Sequence, residues 1–185
     1  MSPRVCPWWL GWFLASPIRK LRHHPARILA PHVREGMTVL EPGPGMGFFT
    51  LELARRVGPS GRVIAIDVQP RMLAGLRRRV ERAGLGGRVV TRLAAKDSLG
   101  VGDLAGAVDF VLAFAVVHEL PDAGRFFAEL RATLAPGGRV LVAEPAGHVR
   151  PPDFEASLAA AARAGLRAGP GPAIAGSRTA LLAAA

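Results

Sequence analysis

Val39-Leu40-Glu41-Pro42-Gly43-Pro44-Gly45-Met46-Gly47-Phe48 decides how this 185-residue chain is read. A short apolar run ends in an acid, and three alternating glycines follow. A buried strand, a tight turn and a helix start fit that order. Gly43 and Gly45 let the backbone bend and approach a ligand closely, because neither carries a Cβ. A dinucleotide fingerprint has the spacing G-x-G-x-x-G, with its third glycine where helix packs on strand. Here the spacing is G-x-G-x-G, and Phe48 stands where that pattern needs its last glycine. The departure argues against NAD and leaves other nucleoside-bearing ligands open.

Glu41 sits just before the first glycine. A carboxylate there would repel a pyrophosphate and suits a cationic ligand. S-adenosylmethionine, with its ammonium and sulfonium, is such a ligand. Arg62-Val63-Ile64-Ala65-Ile66-Asp67 reads as a second strand that also ends in an acid. Asp67 lies 24 residues after Gly43, close to where a βαβ unit offers an acceptor to a ribose. Read singly, Glu41 is a turn residue and Asp67 a helix cap. The glycine spacing, two strands and two acids together favour a cofactor site.

Four segments carry a family resemblance. They are Thr38 to Ala54, Val63 to Leu73, VDFVLAFAVVHELPD from Val108 to Asp122, and LRATLAPGGRVLVAEP from Leu130 to Pro145. On these the chain resembles the class I S-adenosylmethionine-dependent methyltransferases. Within that superfamily it is similar to the small-molecule type, the ubiquinone/menaquinone C-methyltransferase-like group. The resemblance implies an α/β, Rossmann-like doubly wound fold. Its sheet is mostly parallel and seven-stranded, with helices on both faces and an antiparallel last strand. S-adenosyl-L-methionine is then the cofactor and S-adenosyl-L-homocysteine the product. The resemblance gives the methionine part of the cofactor to the loop of Gly43, Pro44, Gly45 and Gly47 behind Glu41. It gives the ribose hydroxyls to Asp67 and the adenine flanks to Val68 and Gln69. Ala113, Phe114 and Ala115 would lie against the methionine side. Many relatives meet the adenine amine with an acid just after the third strand. Here that stretch is Leu93-Ala94-Ala95-Lys96-Asp97, so Asp97 would serve from a shifted position or else cap a turn with Ser98.

Composition sets the bounds. The length suits one domain with a full core, and half the residues are hydrophobic. A single cysteine, Cys6, excludes a disulfide framework and a cysteine zinc site, and no metal site is expected. A reducing cytoplasm is the default location. The formal charge is +10, and only Lys20 and Lys96 of the 24 basic residues are lysines. Such charge suits nucleic acid or an anionic membrane. Many arginines also read as a solvated helix face: Arg71, Arg77, Arg78, Arg79 and Arg82 surround Met72, Leu73, Leu76 and Val80.

The chain divides into an N-terminal aromatic and basic helical segment, 1–35, and a core, 36–185. PWWLGWFL at 7–14 is far shorter than the ~20 residues that span a bilayer. Arg19, Lys20, Arg22, His23, His24 and Arg27 follow it. The segment reads as a lid or a packed helix, and residues 7–27 as a peripheral membrane contact in the alternative. Strands are expected at 37–41, 62–67, 88–93, 108–115 and 139–144. Helices are expected at 47–57, 70–83, 122–134 and 152–164, with Pro136-Gly137-Gly138 between the third helix and its strand. A short edge strand within 165–176 and an antiparallel strand at 177–182 complete the set.

Ligands in such sheets bind beyond the carboxyl ends of the strands. Methyl transfer from a sulfonium asks mainly for alignment and exclusion of water. A base helps where the nucleophile must lose a proton. His118, after the fourth strand, is the candidate base, with Glu119 and His148 as second choices. Gly-x-Ser-x-Gly, HExxH and the Walker pattern are absent from the sequence. The expected function is methyl transfer to a small, apolar or aromatic acceptor. The alternatives are an RNA or DNA methyltransferase and a cofactor-binding protein without catalysis.

Overall fold

The computed structural model describes residues 23–185. The aromatic run at 7–14 and Arg19, Lys20 and Arg22 lie outside the described residues. Two compact units divide the remainder, one ending at Ala94 and one spanning Ala95–Ala185.

In the first unit a short helix, α1 (Pro25–Leu29), precedes β1 (Thr38–Pro42), α2 (Thr50–Arg56), β2 (Arg62–Asp67), α3 (Pro70–Arg82) and β3 (Val89–Leu93). β1 and β3 both pair with β2 in parallel, with Val39 opposite Val63 and Val63 opposite Val89. Val39, Leu40, Val63 and Ile64 are buried, as a strand covered on both faces requires. α3 buries Met72, Leu73, Leu76 and Val80, the helical spacing the sequence shows. Arg56 Nη2 donates to Ala26 O at 2.8 Å, and Ile28 and Leu29 are buried, so α1 is fixed to the unit.

In the second unit β4 (Val108–Phe114) pairs in parallel with β5 (Leu134–Pro145). α4 (Ala123–Thr133) joins them, capped by Asp122, whose carboxylate accepts from the Arg125 N–H at 2.9 Å. α5 (Pro151–Arg163), β6 (Leu166–Pro170) and β7 (Ser177–Ala184) follow. β7 runs antiparallel to both β5 and β6. The seven strands are ordered β3-β2-β1-β4-β5-β7-β6, a mostly parallel sheet flanked by helices with an antiparallel last strand. β6 is an edge strand, buried at Leu166 and exposed beyond it, which explains its weak sequence signal.

Two boundaries differ from the sequence expectation by three residues or more. The helix expected at 47–57, α2, begins at Thr50 instead, because Gly45 and Gly47 hold positive φ values of 55° and 85°. Pro136-Gly137-Gly138 forms a bulge within β5, and the strand starts before it. Val108 pairs with Leu134 and Phe110 with Arg139, so the extra residues loop out. A Cβ on Gly138 would lie 2.7 Å from Val108 O, so only glycine fits there.

Three buried carboxylates stand out: Glu41, Asp67 and Glu144. Each lies in the last two residues of β1, β2 or β5, at the carboxyl end, where this sheet type holds its ligands. No helix among the described residues is long and apolar enough to cross a membrane.

Candidate cofactor site and histidine pocket

The glycine loop is built by three different constraints. Gly43 (φ 66°) donates its N–H to Ile66 O at 2.8 Å, which ties the loop to the end of β2. At Gly45 a Cβ would meet nothing within 4 Å, so this glycine opens onto free space. At Gly47 a Cβ would lie 2.4 Å from Leu76 Cδ1. Gly47 therefore leaves the room that Leu76 of α3 fills. Pro44 is buried between them, and its carbonyl accepts from Gly47 N–H at 3.0 Å.

Arg79 anchors the same loop. Its Nη1 donates to Met46 O at 2.6 Å, and burial lowers its pKa. Met46 in turn packs where a Cβ on Gly75 would sit 3.1 Å from its Cγ. This corrects the reading of Arg79 as part of a solvated face. Arg77 stays on the exposed face, with Nε donating to Thr91 Oγ1 at 2.6 Å.

Glu41 is 3% exposed, and its Oε2 accepts from Thr50 Oγ1 at 2.6 Å. Burial raises its pKa to about 7, the Thr50 bond opposes that rise, and the Asp67 charge adds to it. Asp67 is 8% exposed, and its Oδ1 accepts the Gln69 N–H at 2.9 Å. Beside it, Val68, Gln69, Pro70 and Arg71 line a hollow of about 410 Å³. Two like-charged, buried carboxylates flank a loop with space at Gly45. That chemistry fits a ligand with a cationic end and hydroxyl groups.

Ala113 is buried in β4, and Phe114 and Ala115 are half-buried at its end. Ala115 has φ 55°, which is rare outside glycine, and donates its N–H to Ala143 O at 2.7 Å. The turn that follows is held by Glu144, 0% exposed on β5. Its Oε1 accepts the N–H groups of Val116 at 3.1 Å and Val117 at 2.9 Å, and its Oε2 bonds His118 Nδ1. That bond raises the His118 pKa; partial burial lowers it, and the charges of Glu144 and Glu119 raise it again. His118 and His148 both line a pocket of about 460 Å³. Asp97 is well exposed and pairs with Arg125 Nη1 at 3.3 Å.

The sequence reading missed Glu144 and the role of Arg79. Glu144 did leave a signal, since it is the one acid in the apolar run Val140-Leu141-Val142-Ala143 and its continuation. An uncompensated acid in a doubly buried strand needs a partner.

Residues 39–138 match the family described as a methyltransferase domain. The chain belongs to that family. It lies within the class I S-adenosylmethionine-dependent superfamily, whose cofactor is S-adenosylmethionine. It is 36% identical over 109 residues to an arsenite methyltransferase of Halobacterium salinarum, covering 59% of this chain and 27% of that protein. It is 34% identical over 112 residues to the ubiquinone/menaquinone biosynthesis C-methyltransferase of Pasteurella multocida, covering 60% of this chain and 41% of that protein. The chain thus spans less than half the length of either relative. An S-adenosylmethionine-dependent methyltransferase structure from Aquifex aeolicus superimposes with a TM-score of 0.83 at 27% identity, covering 96% of this chain and 98% of the other.

Proposed function

We propose that this chain transfers the methyl group of S-adenosylmethionine to a small, apolar or aromatic acceptor. The observation that carries the reading is the paired carboxylates, Glu41 and Asp67, around a glycine loop that opens at Gly45. When bound, the cofactor supplies an activated methyl group on a sulfonium. Glu41 then faces its ammonium end, Asp67 accepts from the ribose hydroxyls, and Val68 and Gln69 flank the adenine. Ala113, Phe114 and Ala115 back the methionine side, and Asp97 is a weaker adenine contact given its ion pair with Arg125.

The acceptor class rests on the relatives and on composition. A quinone-biosynthesis methyltransferase is among the similar proteins. Trp8, Trp9 and Trp12 would supply an apolar cover from the segment 1–35, with residues 7–27 touching a membrane surface.

An RNA or DNA acceptor is the second reading, motivated by the +10 charge. The structure gives several arginines internal work that weakens it. Arg56, Arg79, Arg88 and Arg178 each donate to a main-chain carbonyl. A salt titration of duplex binding separates the readings, because phosphate contacts give a steep salt dependence.

The test of the main reading is a thermal-shift titration with S-adenosylhomocysteine beside NAD. Ligand at 100 times its dissociation constant stabilises by roughly 2.7 kcal/mol. A rise with the nucleoside alone, lost in Asp67→Ala, supports the cofactor site. No rise with either ligand defeats it. Transfer to a panel of phenol, thiol and amine acceptors then tests catalysis against bare cofactor binding.

A further inference from the structure

We propose that His118 and Glu144 form a proton-accepting pair, and that the acceptor is therefore a hydroxyl compound acidic enough to give up its proton, a phenol or an enol. The inference rests on the methyltransferase reading and narrows its acceptor.

The pair is built into the sheet. Glu144 is fully buried, and the partners on its two oxygens are Val116 N–H, Val117 N–H and His118 Nδ1. An ionised carboxylate only accepts hydrogen bonds, so the shared proton belongs to Nδ1. In the neutral ring, Nε2 then carries the lone pair. That is the arrangement in which a buried acid fixes the tautomer of a general base. The turn carrying His118 follows Ala115, whose φ of 55° is strained for a residue with a side chain. Two main-chain bonds to Glu144 hold the turn in place. Glu144 is thus a positioning residue, acting through His118 and not on the ligand.

The pocket around the ring has the composition of a small-molecule site. Its volume is about 460 Å³, within the range of small-ligand cavities. Leu120, Pro121 and Val149 give apolar wall, while His148, Asp153 and Ser157 give polar edge. The titratable groups facing His118 are Glu144 and Glu119 by charge, with His148 across the pocket. Asp153 is occupied by Arg150 Nε at 2.8 Å. Among the described residues no group of three or more side chains is placed to hold a metal, so the two histidines are not read as ligands.

A base of this kind serves acceptors that must lose a proton, and it serves a phenolic hydroxyl (pKa about 10) more than a thiol (about 8.5) that ionises in part unaided. A hydroxyl that attacks a sulfonium methyl must lose its proton, and the departing thioether is too weak a base to take it. The O–H bond breaks with its proton moving to Nε2. The O–CH₃ bond forms as the S–CH₃ bond breaks, and its electron pair stays on sulfur. The imidazolium later returns the proton to solvent. Nucleophiles that attack with a free lone pair have no use for the pair.

Histidine-selective ¹⁵N NMR across pH reads the pair without turnover. Wild-type His118 should titrate above the usual histidine range and show Nδ1–H in its neutral form. Glu144→Gln keeps an oxygen for Val116 and Val117, but its amide donates to Nδ1 and moves the ring proton to Nε2. His118 in that variant should hold its proton at least tenfold less tightly, with the thermal midpoint little changed. A wild-type His118 that titrates as an ordinary histidine, or that Glu144→Gln leaves unmoved, overturns the pair. The acceptor claim is read with 4-nitrophenol and 4-nitroanisole in the presence of S-adenosylhomocysteine. Preferential binding of the phenol, with its phenolate absorbance appearing at lower pH than for the free compound and lost in His118→Gln, supports it. Equal binding of the two probes, or none, overturns it even if the NMR result stands. Failure of S-adenosylhomocysteine to shift the wild-type midpoint defeats the methyltransferase reading itself, and this proposal with it.

Discussion

Thr50 Oγ1 donates to Glu41 Oε2 at 2.6 Å, so the end of β1 and the first residue of α2 are tied together across the glycine loop. Both groups are buried, at 0% and 3% exposure. The bond fixes the geometry of the loop and decides how much charge Glu41 tolerates. Thr50→Val removes the donor and keeps the shape. It leaves a buried acceptor unsatisfied, which costs about 1–3 kcal/mol. It also raises the Glu41 pKa further, because that bond is what lowers it. Denaturant unfolding together with S-adenosylhomocysteine titration checks this, and unchanged stability and affinity would show that the bond holds neither the loop nor the ligand.

Glu41 makes the empty protein pH-sensitive. Its folded pKa, about 7, lies above the ordinary 4.5, so the folded state holds a proton that the unfolded state has lost. Its contribution therefore weakens as pH rises from about 4.5 through about 7. The gap corresponds to roughly 3 kcal/mol at about 1.4 kcal/mol per pH step. Glu41→Gln should match wild type near pH 5 and be the more stable of the two at pH 8. Ligand binding should show the opposite trend. A cationic ligand favours the carboxylate, so wild-type affinity for S-adenosylhomocysteine should rise between pH 5.5 and pH 7.5 by up to about tenfold per pH step. The Gln variant should show a weaker, flat profile, and calorimetry over that range is the check.

The two glycines of the loop should fail differently. Gly47→Ala places a Cβ 2.4 Å from Leu76 Cδ1 at a φ of 85°, so packing and backbone both suffer. A loss of about 2–4 kcal/mol in stability is expected. Gly45→Ala meets no neighbour within 4 Å and carries only the strain of its φ of 55°. Its cost should be about 1–2 kcal/mol, while cofactor affinity falls by more than tenfold because the new methyl enters the open space. Equal effects on stability and binding in the two variants would refute this division.

Arg79 should act on the loop without carrying the fold. Arg79→Met keeps the apolar stem and loses the bond to Met46 O. The expected result is a weakening of S-adenosylhomocysteine binding by about fivefold to tenfold, at a stability cost near 1 kcal/mol. Hydrogen exchange across 43–48 should quicken in the variant. An unchanged exchange rate there would show that the arginine is dispensable to the loop.

The order of strands and helices, the glycine loop and the acids at 41 and 67 were legible in the sequence because each is a local pattern. Period-two and period-3.6 hydrophobicity fix backbone type over a few residues, and a glycine at positive φ needs no distant partner. The start of α2 at Thr50 was missed by the same logic, since only observed φ values at Gly45 and Gly47 reveal how long the turn persists. The bulge at Pro136-Gly137-Gly138 depends on the approach of the Val108 carbonyl, 30 residues earlier in the chain.

The remaining features were decided by tertiary structure alone. Arg79 looks like any surface arginine of α3 until Met46 O, 33 residues away, is found against it. Glu144 looks like a strand-end acid until the turn after β4 and His118, 26 residues away, are seen to satisfy it. Sequence by itself determined the backbone plan and the chemistry at the strand ends, because those follow from neighbours along the chain. Which buried charge meets which donor was decided only by folding, because a desolvated polar group must be satisfied by whatever the sheet brings beside it.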